Sequence, residues 1–182
     1  MATDKIRRDL PKIAEAYDRV IIDGPPRVNS LGRAAIIASD FVLMPVLPSA
    51  LDLRATVQTV ELLDEVAGTM KDENSFHAAF VLNQKRPNTV VARDAAGALS
   101  QFSYPTIAQA ITQRVAFAET IAQGTTVVEN DPAGTACQEM RNLIREIESI
   151  AGANAWTRIS HMEIVLRSAH HSHKRSALAA QA

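Results

Sequence analysis

The chain has 182 residues, with 19 basic against 20 acidic side chains, five His and one Cys, and 47% of it is apolar. A chain of this size reads as one globular domain able to remove about 70% of its unfolded surface from water, and the lone Cys137 excludes a disulfide framework and a cysteine-zinc staple. Residues 34–38 and 41–47 are the longest apolar stretches, far short of the roughly 20 residues of a membrane span, and no apolar run follows the charged N-terminus, so a soluble cytoplasmic protein with no membrane partner is expected.

Strands alternating with helices predict an α/β fold with a mostly parallel sheet covered by helices on both faces. Residues 9–16 read as a helix and lead into Val20-Ile21-Ile22, a β-branched run of the kind buried on both sides in parallel sheets. Gly24-Pro25-Pro26 can continue neither ladder nor helix, so Asp23 stands at the carboxyl end of its strand. Residues 30–39 follow as a short helix and residues 41–46 as the second strand.

Ser49 and Asp52 fit a capping box, with hydroxyl and carboxylate each expected to satisfy a backbone N–H. Leu53, Val57, Val60, Leu63 and Ala67 then form one predicted buried stripe, stopped by Gly68 in the left-handed conformation. Residues 76–83 give a third strand, 89–102 a helix, 105–111 a short strand and 115–123 a helix closed by Gly124. The last helix, 134–151, carries Cys137, Met140, Ile144 and Ile147 on one face, where Cys137 reads as a small core residue.

Residues 1–150 are taken as the folded body and 151–182 as a tail. Arg158, Arg167, Lys174 and Arg175 against Glu163 make that tail +3, which leaves the body at −4 within the net charge of −1. The tail also holds four of the five His, but no carboxylate or Cys stands near His170-His171-Ser172-His173 to complete a metal set, so it reads as a solvated, disordered or partly helical terminus.

In an open parallel sheet, ligands bind outside the carboxyl ends of the strands, which brings Asp23, residues 45–48, residues 83–86 and residues 111–114 to one crevice. There Asp23 can orient a metal-bound water beside a phosphate, or simply cap its turn. Arg27 and Arg33 are candidates to meet an anion or are solvated surface charges. Asn83 has the alternative of an ordinary strand-end turn residue.

Three blocks in order carry a family resemblance: Tyr17-Asp18-Arg19-Val20-Ile21-Ile22-Asp23-Gly24-Pro25-Pro26, then Ser39-Asp40-Phe41-Val42-Leu43-Met44-Pro45-Val46-Leu47-Pro48-Ser49, then Ile111-Thr112-Gln113-Arg114-Val115-Ala116-Phe117-Ala118-Glu119. They resemble the ParA/MinD-type partition ATPases, most of all the short plasmid-partition ParA proteins. The resemblance spans residues 9–150. It implies a three-layer, deviant P-loop NTPase that uses ATP and Mg2+, dimerises around two ATP molecules, binds DNA nonspecifically and is reset by a centromere-binding partner protein. It also implies that Asp23 is the catalytic and magnesium-reaching aspartate, that residues 24–33 sense the terminal phosphate, that Asn83, Thr112 and Gln113 lie near the adenine, and that Arg114 is DNA-contacting. Ala116 stands where many longer relatives carry Arg.

One departure dominates. The chain contains no G-x-x-x-x-G-K-[ST], and none of its seven Gly precedes Lys-Ser or Lys-Thr. Backbone N–H groups of such a loop and its lysine supply most of the grip on the β and γ phosphates, which Asp23 alone cannot replace. The resemblance implies that the strand bearing this loop belongs between the Asp23 strand and residues 41–46, so a central strand is expected to be missing. Each buried, unpaired backbone group costs about 1–3 kcal/mol against a stability of ~5–15 kcal/mol. The two strands then close together, another segment or chain fills the slot, or the chain folds poorly. The leading expectation is a truncated partition ATPase chain unable to hydrolyse ATP by itself. The alternative is a nucleotide-independent DNA- or partner-binding module that modulates an intact homologue. No G-x-G-x-x-G supports a third reading, a dinucleotide-binding protein.

Overall fold

A computed structural model describes residues 2–17, 19–24, 29–70 and 77–155. Within them the chain forms α1 (Ala2–Ala14), α2 (Ser30–Ile37), β1 (Phe41–Val46), α3 (Ala50–Ala67), β2 (His77–Leu82), α4 (Val90–Leu99), α5 (Val115–Ala122), α6 (Val127–Asn130) and α7 (Thr135–Ala155). Strands β1 and β2 pair in parallel, Phe41 opposite His77 and Val46 opposite Leu82.

Alternation along these strands builds a layer on each side of the sheet. Val42, Met44 and Val46 with Ala78, Phe80 and Leu82 belong to one apolar cluster; Phe41, Leu43, Ala79 and Val81 belong to another. Successive strand side chains point to opposite faces, so these clusters are the two faces of the sheet. Residues of α2, α3 and α4 complete the first, including Ile36, Leu63, Val66 and Leu99. Leu143, Ile147 and Ala151 of α7 complete the second. The fold is therefore α/β with helices on both sides of a parallel sheet, as the sequence implies. Phe80 is fully buried against the rings of Phe102 and Tyr104, with centroids 5.6 and 6.4 Å away.

Three expected features differ. The strand expected over 105–111 is broken into two parallel bridges, Phe80 with Thr106 and Lys85 with Thr112. Ile107 N–H donates to Phe80 O at 2.8 Å, yet the next bond, to Leu82 O at 2.9 Å, comes from Ile111. One side advances two residues while the other advances four, so residues 108–110 loop out of the ladder and a regular strand cannot form.

Residues 20–22 likewise form no regular strand. Val20 makes one isolated bridge, although Val20 and Ile22 are only 5% and 4% exposed. His77 N–H donates to Asp40 O and Asn83 N–H to Val46 O, which turns the even-numbered backbone groups of β1 toward β2 and the odd-numbered ones toward its outer edge. Pro45 lies on that outer side, so its missing N–H costs the β2 ladder nothing. No backbone hydrogen bond among the described residues joins 20–23 to this edge. Closure is through side chains instead: Ile22 packs in the cluster that holds Val42 and Met44. Arg19 pairs with Glu148 of α7 at 2.8 Å.

Helix boundaries also shift. Helix α1 starts before residue 9 and accommodates Pro11, and α7 extends past residue 151 to Ala155. In α3 the buried residues are Thr56, Val60, Leu62, Leu63 and Val66, while Val57 is 41% exposed. Thr56 tolerates burial because its hydroxyl donates to Asp52 O at 2.8 Å, a bond one helical turn back. Gly68 ends α3 with φ −65°, right-handed, whereas Gly124 has φ +69° and is the left-handed stop after α5. The Ser49 hydroxyl accepts from Asp52 N–H but donates to the Asp52 carboxylate, so the reciprocal box is not formed there. It is formed at α6, between Thr126 and Glu129. Pro25, Pro26, Arg27 and the tail from residue 156 onward lie outside the described residues.

Truncating Phe80 removes the ring at the centre of the first layer. Phe80→Ala is expected to lower unfolding free energy by about 3–5 kcal/mol. Denaturant titration checks this, and a loss below about 1 kcal/mol contradicts the packing described.

Candidate functional site

Three segments reach the carboxyl ends of the sheet, and the sequence adds Asp23 as a candidate beside them. Asp23 follows the buried Ile22 and is itself half-buried, with no hydrogen bond or ion pair to another described residue. Residues 47–49 join β1 to α3, residues 83–89 join β2 to α4, and residues 111–114 lead into α5. Of the residues singled out in the sequence, the structure brings Asn83, Thr112, Gln113 and Arg114 onto neighbouring segments that bond to one another.

Beyond the end of β2, Lys85 N–H donates to Ile111 O at 2.9 Å and Gln113 N–H to Lys85 O at 3.0 Å. Arg86 Nε donates to Gln113 Oε1 at 2.6 Å, which turns the Gln113 amide NH2 away from Arg86. The Asn83 carboxamide oxygen accepts from Gln84 N–H at 2.9 Å. Gln84 lies in the left-handed region at φ 50°, and so does Asn88 at φ 60°. A long side chain in that region costs of order 1 kcal/mol, and here it lies at the ligand-facing end of the sheet, where such strain concentrates.

Helix α7 holds this rim from one side. Glu146 accepts Ala108 N–H at 2.8 Å through one oxygen and Gln109 N–H at 3.0 Å through the other, satisfying donors that the looped-out residues 108–110 cannot offer to β2. Glu139, 8% exposed, accepts Thr112 N–H at 3.0 Å through Oε2, while its Oε1 accepts Arg114 Nε at 3.2 Å and Nη2 at 2.7 Å. Burial pushes the Glu139 carboxyl up, but the Arg114 guanidinium and the Thr112 donors outweigh it and hold it below its ordinary value. The same contact raises Arg114.

Neither Glu139 nor Glu146 belongs to a motif in the sequence. The available signal was position: Glu139 falls between Ala136 and Leu143, both buried, and Glu146 lies two turns further on. Arg33, a candidate to meet an anion, instead pairs with Glu65 of α3, whose carboxyl it lowers. Arg114 is already engaged by a carboxylate.

Chemically, the rim from 83 to 86 and from 112 to 114 offers carboxamides, a hydroxyl and three cationic chains, Arg86 exposed and Lys85 and Arg114 half-buried, a set suited to the edge of a base or to a phosphate oxygen. The metal and triphosphate end of an ATP site is a different matter. No group of three or more His, Cys, Asp or Glu side chains that could hold a metal ion occurs among the described residues. The first-turn donors Asp52 N–H and Ala92 N–H are taken by Ser49 and Thr89. Among the described residues the rim offers polar groups of the kind that meet a base edge, and no set of side chains for magnesium-bound phosphates is assembled.

The family model described as an AAA domain matches residues 1–76. The chain is 29% identical over 133 residues to the maintenance of carboxysome distribution protein A of Halothiobacillus neapolitanus, covering 72% of this chain and 60% of that protein. It is also 29% identical over 150 residues to the cell division protein PomZ of Myxococcus xanthus, covering 79% and 45%. In sequence the chain is similar to the ParA/MinD-type ATPases. Its fold matches the cell division ATPase MinD of Pyrococcus furiosus with a TM-score of 0.60 at 19% identity, over 78% of this chain and 58% of that one. It thus spans 60% and 45% of the lengths of those two relatives.

The depressed Glu139 carboxyl has a pH signature. Its folded value lies below the ordinary 4.5, so its stabilisation is complete above that pH and is lost as pH falls through the folded value. Glu139→Gln is expected to cost about 1–3 kcal/mol near neutrality and to flatten the stability loss between pH 5 and 3. Urea unfolding across that range checks it, and an unchanged slope contradicts the assignment.

Proposed function

We propose that this chain supplies the sheet and the base-facing rim of a ParA/MinD-type positioning ATPase acting in plasmid or chromosome partition in the cytoplasm. The observation that carries the reading is the bonded rim of residues 83–86 and 111–114 at the carboxyl ends of a parallel sheet, held from behind by Glu139 and Glu146. On it, Asn83, Thr112 and Gln113 meet the adenine edge, Arg114 faces DNA, and Asp23 stands toward the magnesium-bound phosphates. ATP with Mg2+, when bound, supplies the energy that such proteins use to switch partners. The sequence carries no G-x-x-x-x-G-K-[ST] loop to grip the β and γ phosphates, and on this reading the chain by itself is expected not to hydrolyse ATP.

Partner binding is proposed at the same end of the fold. Leu51, Val90, Val91 and Val115 open α3, α4 and α5, and are 80%, 59%, 54% and 70% exposed. Large apolar side chains at three adjacent helix starts, all at the rim, suit coverage by a second copy across the crevice. A centromere-binding partition partner completes the proposed assembly. The roles named for the two relatives, carboxysome distribution and cell division, support cargo positioning as the general task.

A second reading is favoured by the absent phosphate loop: a nucleotide-independent module that binds DNA or a partner and modulates an intact homologue. An ATP titration of the full chain, with and without magnesium, separates the two. The experiment compares magnesium-ATP turnover of the chain with that of Asp23→Ala. Equal, background-level rates are expected, and turnover clearly above the Asp23→Ala control overturns the proposal. ATP binding without hydrolysis favours the first reading, while duplex binding indifferent to ATP favours the second.

A further inference from the structure

Arg114 is the cation at the rim whose charge is matched by a carboxylate; Arg86 rests on the neutral Gln113 amide. The carboxylate is fully committed, one oxygen to Arg114 Nε and Nη2 and the other to Thr112 N–H. Glu139 arrives from α7, so the pairing joins positions 25 residues apart and is a property of the tertiary fold. The geometry engages only one edge of the guanidinium. Nη1 makes no hydrogen bond to a described residue, and the Arg114 side chain remains 33% exposed against 11% for Glu139. An arginine held in this way has its orientation fixed and its outer edge open, but its charge is neutralised a few ångströms away.

We propose that Glu139 is a positioning residue that quenches Arg114, and so sets how strongly this rim attracts phosphate-bearing polyanions. Three observations support it. The pair is partly shielded from solvent, so salt screens it less than a surface pair. Both carboxylate oxygens are in use, which holds Glu139 in place. And the carboxyl is kept ionised by Arg114 and the Thr112 donors despite its burial. The natural ligand is a phosphodiester backbone if the DNA-facing reading of the rim above holds, and a free polyphosphate if it does not. Either meets the same open guanidinium edge.

Glu139→Gln is close to isosteric and keeps an acceptor for Thr112 N–H while removing the balancing charge. Full-length wild type, Glu139→Gln, Arg114→Gln and the double variant are titrated with inorganic tripolyphosphate and with duplex DNA over a salt series, after melting curves verify folding. Glu139→Gln is expected to bind about three- to tenfold more tightly at low salt, with a duplex salt slope steeper by about 0.9, one phosphate's worth. The gain is expected to vanish in the Arg114→Gln background. No gain with either ligand overturns the proposal, and so does a gain that persists without Arg114, since that reports net charge alone. An Arg114-dependent gain with tripolyphosphate, in chains that bind no duplex, supports the proposal and defeats the DNA-facing reading. Should Glu139→Gln fail to fold, Glu139→Asp keeps the charge but withdraws it by one methylene; a smaller, Arg114-dependent gain supports the proposal and its absence overturns it.

Discussion

Two carboxylates on α7, two helical turns apart, hold a segment that the sheet alone cannot. Residues 105–113 carry two more residues than a straight ladder along β2 accommodates, and the excess N–H groups of Ala108 and Gln109 turn to Glu146. Glu139 does the same for Thr112 and adds Arg114. Hydrogen bonds to a charged acceptor are stronger than neutral ones, which suits them to fixing a loop in place of a strand. The rim of the crevice thus takes its shape from a helix packed beneath it, through Leu143 and Ile147, as much as from the strands that lead to it.

That arrangement links packing to chemistry. The second face of the sheet, Phe41, Leu43, Ala79 and Val81, sets where α7 lies; α7 sets where Thr112 and Arg114 lie; and the bonds from Lys85 and Arg86 to residues 111–113 carry the position on to Asn83. On the opposite face, buried hydroxyls are handled locally: Ser39 and Thr56 each donate to a carbonyl four residues back. These side chains need no distant partner. The ionic contacts at the rim do, and for that reason they couple separate parts of the chain.

Much of this was legible in the amino-acid order. The strands at 41–46 and 77–82 stand out because both faces of each are apolar, and α4 and α5 are bracketed by turn residues at Thr89 and Gly124. What escaped reading was whatever depends on a partner remote in sequence. Glu139 looks like any surface glutamate until Arg114, 25 positions earlier, is placed beside it. Arg33 looks free until Glu65 meets it. The stripe on α3 slipped by a residue because a threonine that bonds its own backbone was buried in place of a valine. The strand ending at Asp23 was overestimated for another reason: a β-branched run reports burial, which Val20 and Ile22 have, but not the ladder partner a strand requires.

Native-state hydrogen exchange at the Ala108, Gln109 and Thr112 amides tests most directly whether α7 holds the rim. In the wild-type chain these amides are expected to exchange slowly despite lying outside any regular strand. In a Glu139→Gln, Glu146→Gln double variant their protection is expected to drop by at least about tenfold, since one weakened bond of about 1.4 kcal/mol suffices for that factor, while Ala79 and Val81 in β2 keep theirs. Fast exchange at the three amides in the wild type, or equal protection in the variant, would contradict the account.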